Sequence, residues 1–351
     1  MWKWPALVSI QLLCFQAVYC YSVSGQHSTG ATPQNIREPF FEVVEIDRLM
    51  EITVERRSRK KQIVEQIYNY PRLLSFVSQL YANGMTLAGF PTDAESYAIS
   101  IEEIPIRIAN LRSTLIGTKI AQISDLHMGR YYRAEHLAEA VALINQQSPD
   151  FVCMTGDYVG TYPTDVVEMV EPLLRLNAPT FATLGNHDYK RNSLPYVLHA
   201  FEQLPIRLLR NESVQVKSGL WVAGLDDLLY GTPNIGKTLC SVPRDETVIL
   251  LAHEPDYFRK VVAQELPIAL QMSGHTHGGQ IQLPARSEDA FGRKMWTPRR
   301  ALPRYGQLYP PGLLQVGHRS LYTNRGLGFT GPSIRINCPP EITLFTLQAE
   351  A

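Results

Sequence analysis

Cysteine is scarce in this chain and does not cluster. The five cysteines among 351 residues form no Cys-x-x-Cys pair and no small-domain framework, so neither structural zinc nor a disulfide scaffold is predicted. Surplus charge is also absent, because 33 Lys and Arg balance 33 Asp and Glu. Without a basic excess, nucleic acid is not an expected partner.

A hydrophobic run long enough to span a bilayer is missing as well. The apolar tract from about Ala6 to Val18 has the length of a secretory h-region, and the small residues Ser22 and Ser24 follow it. Residues 1–25 are therefore interpreted as a signal peptide or a membrane anchor. We expect a protein of the cell envelope, exported or membrane-associated, with the cytoplasmic face of the membrane as the alternative location.

Residues 26–96 form a second segment, which begins as a polar linker and contains a basic run at Arg56–Lys61. This run begins a predicted helix, and an apolar stretch at Leu73–Val77 follows it. A solvated helix face explains the run, and so does contact with anionic lipid headgroups or an anionic substrate tail. An anionic membrane surface is thus one partner that the sequence allows.

Apolar strands alternate with helices from residue 97 onward, so residues 97–351 are predicted to form one α/β domain. The overall hydrophobic content of 45% is enough for a substantial core. The predicted strands are 119–123, 151–154, 180–184, 214–217, 220–223, 247–252 and 268–272, with a hairpin around residues 218–219. The predicted helices are 134–147, 166–176 and 194–201.

Five motifs rich in Asp, Asn and His follow these strands. They are Asp125-Leu126-His127, Gly156-Asp157, Gly185-Asn186-His187-Asp188, His253-Glu254 and Gly274-His275-Thr276-His277-Gly278. Each lies just past the C-terminal end of a predicted strand, where open α/β sheets place their ligands. Oxygen and imidazole ligands in this mixture suit first-row divalent metals. The sequence therefore predicts two divalent metal ions, whose identity is left open among Mn, Fe, Zn, Ni and Mg.

The order of these motifs resembles the calcineurin-like metallophosphoesterase superfamily. Its blocks match Ser124-Asp125-Leu126-His127, Gly185-Asn186-His187-Asp188 and Gly274-His275-Thr276-His277-Gly278-Gly279-Gln280. The stretches at residues 324–329 and 338–342 are similar to the bacterial cell-envelope branch. The resemblance spans roughly residues 97 to 349, and it implies a four-layer αββα sandwich of two mixed sheets with a metal site at one edge.

The resemblance also implies a ligand set. Asp125, His127 and His277 would hold the first metal, Asn186, His253 and His275 would hold the second, and Asp157 would bridge both. A carboxylate suits the bridge because its oxygens can span cations about 3.5 to 4 Å apart. His275 and His277 are two residues apart, so an extended backbone is expected to direct both rings to the same side.

Two residues beside the ligands are candidates for proton chemistry. His187 follows Asn186 directly, and the family pattern leaves it uncoordinated. As an imidazolium it would stabilise phosphoryl charge or protonate the leaving oxygen. Asp188 either orients His187 or caps the next helix.

A basic segment separates the last metal motif from the closing strands. Residues 282–325 contain eight Lys or Arg against two acids. Guanidinium groups in a segment folded over the site would bind phosphate bidentately, although a solvated loop is the alternative. The arginines expected to bind substrate are Arg293, Arg299, Arg300 and Arg304.

The expected activity is hydrolysis of a phosphodiester or pyrophosphate bond by metal-activated water. Resemblance to hydrolases of UDP-2,3-diacylglucosamine suggests a lipid-linked or nucleotide-sugar substrate of the lipid A pathway. A general phosphomonoesterase is the main alternative. A non-catalytic metal-binding scaffold is the third, and the oligomeric state is not predicted.

Overall fold

The computed structural model of the protein describes residues 97–280, 282–284, 295–296, 302–303, 305–330, 333 and 335–350. The predicted leader and the segment 26–96 lie outside these residues, so their boundaries stay predictions. The arginines expected to bind substrate also lie outside them, namely Arg293, Arg299, Arg300 and Arg304. Within the described part of the chain, no helix is long and apolar enough to cross a membrane.

The strands form two six-stranded sheets and one short two-stranded ribbon. In chain order they are β1 (Ser100–Ile108), β2 (Lys119–Ile123), β3 (Phe151–Met154), β4 (Thr180–Ala182), β5 (Ile206–Leu208), β6 (Glu212–Lys217), β7 (Leu220–Gly224), β8 (Thr247–Leu251), β9 (Leu270–Ser273), β10 (Leu283–Pro284), β11 (Met295–Trp296), β12 (Gly312–Val316), β13 (Arg319–Thr323) and β14 (Glu341–Ala349).

Both large sheets are mixed. The first has the order β1-β14-β2-β3-β4-β5, in which only β14 and β2 pair antiparallel. The second has the order β12-β13-β9-β8-β7-β6, with antiparallel pairs at its two edges. The central strands of each sheet are therefore parallel, and their carboxyl ends meet at one edge.

The described helices are short apart from the first. The α-helices are α1 (Ala134–Gln147), α2 (Val170–Leu173), α3 (Leu194–Glu202), α4 (Ile235–Leu239) and α5 (Phe258–Ala263). The 3-10 turns are Ser113–Leu115, Pro163–Met169, Asn186–Asp188, Lys190–Asn192, Pro255–Tyr257 and His277–Gly279. Helix α1 forms because Leu137, Val141 and Ile144 recur at helical spacing and are buried.

Three apolar layers separate the elements. One lies between the first sheet and helices α1 and α3, where Ile123 and Met154 pack with Leu137. A second lies between the two sheets and contains the buried Cys153. The third lies between the second sheet and α5. Three cores between four layers make an αββα sandwich, which confirms the predicted fold class.

Several predicted boundaries need correction. The predicted helix 166–176 is a 3-10 turn at Pro163–Met169 followed by one α-helical turn, because Pro172 has no N–H with which to extend a regular helix. The strand predicted at 180–184 ends at Ala182, and the one predicted at 268–272 is Leu270–Ser273. The hairpin is confirmed, with β6 and β7 paired antiparallel.

Candidate metal centre

The seven predicted ligands converge where the two sheets meet. Four follow strands β2, β3 and β4 of the first sheet, and three follow β8 and β9 of the second. All seven side chains are buried: Asp125, His127, Asp157, Asn186, His253, His275 and His277. The site thus draws on the carboxyl edge of both sheets, the place that the motifs predicted.

The ligand atoms fall into two main groups and a third that overlaps them. Asp125, His127 and His277 form one group, and Asp157, His253 and His275 form another, with ligand atoms of each within 4.8 Å of one another. His187 joins His127 and Asp157 in the third group. The first group consists of the three residues that the resemblance implied for the first metal. The second group contains His253 and His275 together with the expected bridge Asp157, and Asn186 is not one of its members.

Distances in the first group suit a single ion. His127 Nε2 lies 3.0 Å from His277 Nε2, and His277 Nε2 lies 3.3 Å from Asp125 Oδ1. Two ligands about 2.0 to 2.1 Å from a metal and at right angles to each other are about 3 Å apart. These atoms therefore surround a space of the size that one cation needs.

The second group has similar spacing and is joined to the first by one atom. His253 Nε2 lies 3.2 Å from His275 Nδ1 and 3.3 Å from Asp157 Oδ2. The same Asp157 oxygen lies 3.5 Å from His127 Nε2 of the first group. The other oxygen, Oδ1, accepts the His187 backbone N–H at 2.6 Å. If two cations are bound, Asp157 would be the residue between them, since a carboxylate can serve two ions.

Asn186 adds a separate indication of a bound cation. Its amide oxygen Oδ1 is buried and accepts no hydrogen bond within the described residues. A buried carbonyl oxygen without a partner is costly, so native structures seldom keep one without an ion or water. A cation in the second group would satisfy this oxygen. The residues present therefore fit two divalent ions.

Backbone carbonyls orient two of the imidazoles. His127 Nδ1 lies 3.1 Å from the Val159 carbonyl oxygen, and His253 Nδ1 lies 2.6 Å from that of Thr155. Each Nδ1 donates its proton to the carbonyl, so each Nε2 presents a lone pair to the centre. The carbonyls thus fix both the tautomer and the ring orientation.

Five of the seven candidate ligands have left-handed backbone. Their φ angles are 52° for Asp125, 45° for His127, 58° for Asp157, 69° for His275 and 51° for His277. Such conformations are uncommon for residues other than glycine, and they concentrate at functional sites. The extended backbone expected for the His275–His277 pair is therefore wrong. The turn instead sends His277 to the first group and His275 to the second.

The charges of the site suit cations. Burial opposes ionisation of Asp125 and Asp157, but neighbouring histidines hold the pKa of both carboxyls well below its usual range. Burial lowers the pKa of His127 to about 4. At His253, burial likewise lowers the pKa, but Asp157 and Asp125 outweigh it and raise the pKa well above its ordinary value. The two carboxylates are thus anionic, which is the state in which they bind metal ions.

His187 lies at the open side of the centre. Its side chain is half-buried, whereas the seven candidate ligands are buried. Its ring centroid is 4.7 Å from that of His127, at an interplanar angle of 89°. Burial lowers the pKa of His187 well below its ordinary value.

Asp188 holds backbone rather than the His187 ring. Its carboxylate accepts N–H groups from Asp157 at 3.0 Å, Tyr158 at 2.7 Å, Val159 at 3.2 Å and Gly185 at 2.8 Å. The sequence offered orientation of His187 or a helix cap as its role. The bond from Gly185 caps the 3-10 turn Asn186–Asp188. Together the four bonds tie the loop that carries Asp157 to the loop that carries Asn186.

Close packing of these two loops requires glycine. A Cβ atom on Gly156, whose φ is +92°, would lie 2.5 Å from the Gly185 nitrogen. A Cβ on Gly185 would lie 2.5 Å from the Asp157 nitrogen. Any side chain at either position would therefore separate Asp157 from Asn186.

Similarity to known proteins agrees with a metal-dependent hydrolase of this architecture. Residues 118–279 match the calcineurin-like phosphoesterase family. The uncharacterized metallophosphoesterase YkuE of Bacillus subtilis is 35% identical over 74% of this chain and 90% of its own length. The phosphodiesterase YaeI of Escherichia coli is 30% identical over 70% of this chain and 88% of its own length.

Among solved structures, TT1561 of Thermus thermophilus is 13% identical and covers 60% of this chain, with a TM-score of 0.40 and 90% of its own length matched. The sequence matches decide which class of protein this is. The chain belongs to the calcineurin-like metallophosphoesterases, and it is a phosphoester hydrolase whose clustered Asp and His residues are able to hold metal ions.

The sequence analysis missed two residues of this region. Lys190 lies two residues after the end of the Asn186 motif, and Arg335 lies in a stretch without a metal-binding pattern. Their partners are remote in sequence, so only the folded chain reveals them. A basic residue three positions after His187 was the one available hint for Lys190.

Proposed function

We propose that this protein hydrolyses a phosphodiester or pyrophosphate bond at a two-metal centre. The observation that carries the proposal is the position of Asp157 Oδ2, within 3.3 Å of His253 Nε2 and 3.5 Å of His127 Nε2. One oxygen between two ligand groups suits a pair of cations that share a bridge. Asp125, His127 and His277 would bind the first ion, and Asn186, His253 and His275 the second.

When bound, two such cations lower the pKa of a water molecule and neutralise the charge of the phosphoryl oxygens. The protein residues then supply position and proton transfer. The carbonyls of Val159 and Thr155 keep the ligand rings in place, and Asp188 keeps the two ligand loops together. His187, at the open side, is placed to carry a proton to the leaving oxygen as the bond breaks.

A diester or pyrophosphate is favoured over a monoester by the relative YaeI, which is described as a phosphodiesterase. UDP-2,3-diacylglucosamine as substrate and an envelope location remain predictions from the sequence. The apolar leader and the basic run that support them lie outside the described residues. A purified membrane fraction of the native cell, probed for this protein, tests the location.

The proposed activity is tested by metal depletion and refilling. Protein stripped with a chelator and refilled with Mn²⁺ should regain hydrolysis of bis-p-nitrophenyl phosphate, and it should prefer this diester to p-nitrophenyl phosphate. Asp125→Ala should lose the activity, whereas His199→Ala, at an exposed histidine on α3, should keep it. A preference for the monoester would support a phosphomonoesterase. No turnover of either ester with any divalent ion would support a binding scaffold.

A further inference from the structure

Lys190 lies one turn beyond His187. The 3-10 turn Asn186–Asp188 is followed by Tyr189 in helical conformation and then by the turn Lys190–Asn192. In 3-10 geometry, side chains three residues apart eclipse one another, and each residue advances about 2.0 Å. Lys190 therefore projects to the same side as His187, from a point about 6 Å further along the chain.

The Lys190 ammonium group has a ring partner but no acid partner. Its Nζ lies 5.9 Å from the centroid of the Tyr230 ring. Among the residues that the structure describes, Lys190 makes no salt bridge. Its side chain is half-buried. A cation in this state is partly stripped of water without being neutralised, so it interacts strongly with an anion.

The charge of this ammonium group also interacts with the charges of the centre. Burial is the largest influence on the pKa of Lys190 and lowers it, while the carboxylates of Asp157, Asp227 and Asp188 oppose that effect. In turn, the charge of Lys190 lowers the pKa of His187. The charge of the ammonium group thus acts on His187 and is acted on by Asp157, although the group contacts neither residue.

Tyr230 is held in place beneath Lys190 by buried acids. Asp227 Oδ2 accepts the N–H of Leu229 at 2.9 Å and that of Tyr230 at 2.5 Å. Glu254, which follows the candidate ligand His253, accepts the Leu228 N–H at 3.3 Å. The loop that carries Tyr230 is therefore fixed to the same strand ends that carry the metal centre. Tyr230 is 50% exposed, so it forms part of the surface rather than of the core.

We propose that Lys190, positioned over Tyr230, binds a second phosphate group of the substrate, adjacent to the scissile one on its leaving-group side. This inference rests on the proposed function and narrows its substrate class to compounds with two neighbouring phosphates, such as a pyrophosphate-linked ester. Nothing about a single-phosphate diester would require Lys190.

The order of residues along the chain assigns the second phosphate to the leaving-group side of the scissile bond. Asn186 is at the metal centre, His187 comes next and is placed at the leaving oxygen, and Lys190 is one turn further out. A group that lies beyond the leaving oxygen would reach Lys190, whereas the phosphoryl group under attack would lie at the ions. Of the neighbouring cations, Arg210 lies over the Tyr189 ring and is already paired with Asp226 at 3.0 Å, and Arg191 donates to the Thr161 carbonyl at 2.6 Å.

The inference is tested by calorimetric titration of the Mn²⁺-loaded protein, with methylenediphosphonate as the two-phosphoryl probe and inorganic phosphate as the single one. Lys190→Met should weaken methylenediphosphonate binding by about 10- to 100-fold, as expected for loss of one charged contact. Phosphate binding should change less than about twofold, because the ions hold it. Lys190→Arg should restore much of the loss.

Lys260→Met is the matched control. Lys260 lies over the Tyr257 ring at 5.7 Å in the same kind of pair, but it is exposed on the outer side of α5. Its replacement should alter neither affinity. Equal weakening for both probes, no weakening, or failure of arginine to rescue would overturn the role of Lys190. The titration needs no turnover, so it is independent of the proposed function, which the hydrolysis of bis-p-nitrophenyl phosphate tests.

With a pyrophosphate-linked substrate, Lys190→Met should increase KM with little change in kcat. The reason is that the contact is made equally in the bound substrate and in the transition state. UDP-glucose serves as the probe. A loss in kcat alone would assign Lys190 to the reacting phosphoryl group instead.

Discussion

At the scale of single residues, the side chains around the centre are of two kinds. Some would bind an ion, and others hold the ion-binding residues in position. Asp188 belongs to the second kind, since its four backbone hydrogen bonds join the loops of Asp157 and Asn186. Burial and the nearby Asp157 raise the pKa of Asp188 to about 7, while its N–H donors oppose that shift. His187 is assigned to neither kind, because it is half-buried beside the His127 ring and is proposed to act on a proton.

His187 should separate metal binding from catalysis. His187→Ala is expected to keep both ions but to lose about 10²- to 10⁴-fold in rate, the usual contribution of a positioned acid or base. The loss should be smaller for p-nitrophenolate, which leaves readily as an anion, than for an alkoxide. Rates across a leaving-group series, together with the metal content, provide the measurement. Loss of an ion would make His187 a ligand, and equal rate losses would point to charge stabilisation at phosphorus.

At the scale of elements, the loop after β13 supports the loop that carries Asp125. Leu327 N–H donates to the Ser124 carbonyl at 3.0 Å, and Gly328 N–H donates to the Asp125 carbonyl at 2.8 Å. The buried Arg335 in turn binds the backbone of this supporting loop. Its guanidinium donates to four carbonyl oxygens, those of Arg325, Gly326, Gly328 and Cys338.

Replacing Arg335 should therefore damage the centre at a distance. Arg335→Met leaves several buried carbonyls without donors and should lower the free energy of unfolding by about 3 kcal/mol or more. It should also reduce metal occupancy, because the backbone at Asp125 loses its support. Urea unfolding and metal analysis of the folded protein measure the two effects.

Arg319→Met is the control for Arg335. Arg319 is half-buried and donates to the Leu266 carbonyl at 3.1 Å, away from the metal loops. Its replacement should cost about 1 kcal/mol and leave the metal content unchanged. If both variants retain full metal content, the supporting role of the loop is wrong.

At the scale of the whole molecule, the two sheets meet at the metal centre at one edge and through a charged contact at the opposite edge. Asp150, just before β3, accepts the Lys119 N–H at 2.8 Å and forms a salt bridge with Lys217 of the second sheet at 2.7 Å. Although burial acts in the opposite direction, the Lys217 hydrogen bond and its neighbours lower the pKa of Asp150.

This contact gives a pH-dependent prediction. Asp150→Asn should reduce the free energy of unfolding at pH 7 by about 0.5 to 1 kcal/mol, a modest value because the pair is partly exposed. A lowered folded-state pKa means that the stabilisation is present above the unfolded pKa of about 3.9 and is lost as pH falls through the folded value. Urea unfolding of Asp150→Asn and of the parent protein, at pH 7 and at about pH 3, measures how much of this stabilisation is lost at low pH.

Asp245→Asn supplies the reference for this comparison. The Asp245 side chain is 82% exposed and lies 3.8 Å from Arg112, so its removal should have no measurable effect at either pH. A difference between Asp150→Asn and the parent protein that persists unchanged at low pH would exclude the ion pair as its cause.

Much of the architecture was predictable because its signals are local. The apolar strands and the ligand motifs after them follow one another in sequence, and α1 has the predicted bounds Ala134–Gln147. The backbone at His275 was not predictable, since its left-handed turn brings its N–H to the Asp125 carboxylate, at 3.1 Å from Oδ1, 150 residues away. Arg335 likewise acts on the distant Asp125 loop, so no short-range pattern reveals it.

The central claim is that two cations share the bridging carboxylate of Asp157. Metal analysis of the purified wild-type protein and of Asp157→Asn tests it most directly, with Asp165→Asn, a half-buried residue that accepts the Tyr162 N–H at 3.0 Å, as the control. The wild-type protein and the control should each hold two divalent ions per chain, whereas Asp157→Asn should lose at least one of them together with its diesterase activity. Two ions per chain in Asp157→Asn, bound as tightly as in the wild-type protein, would contradict the account.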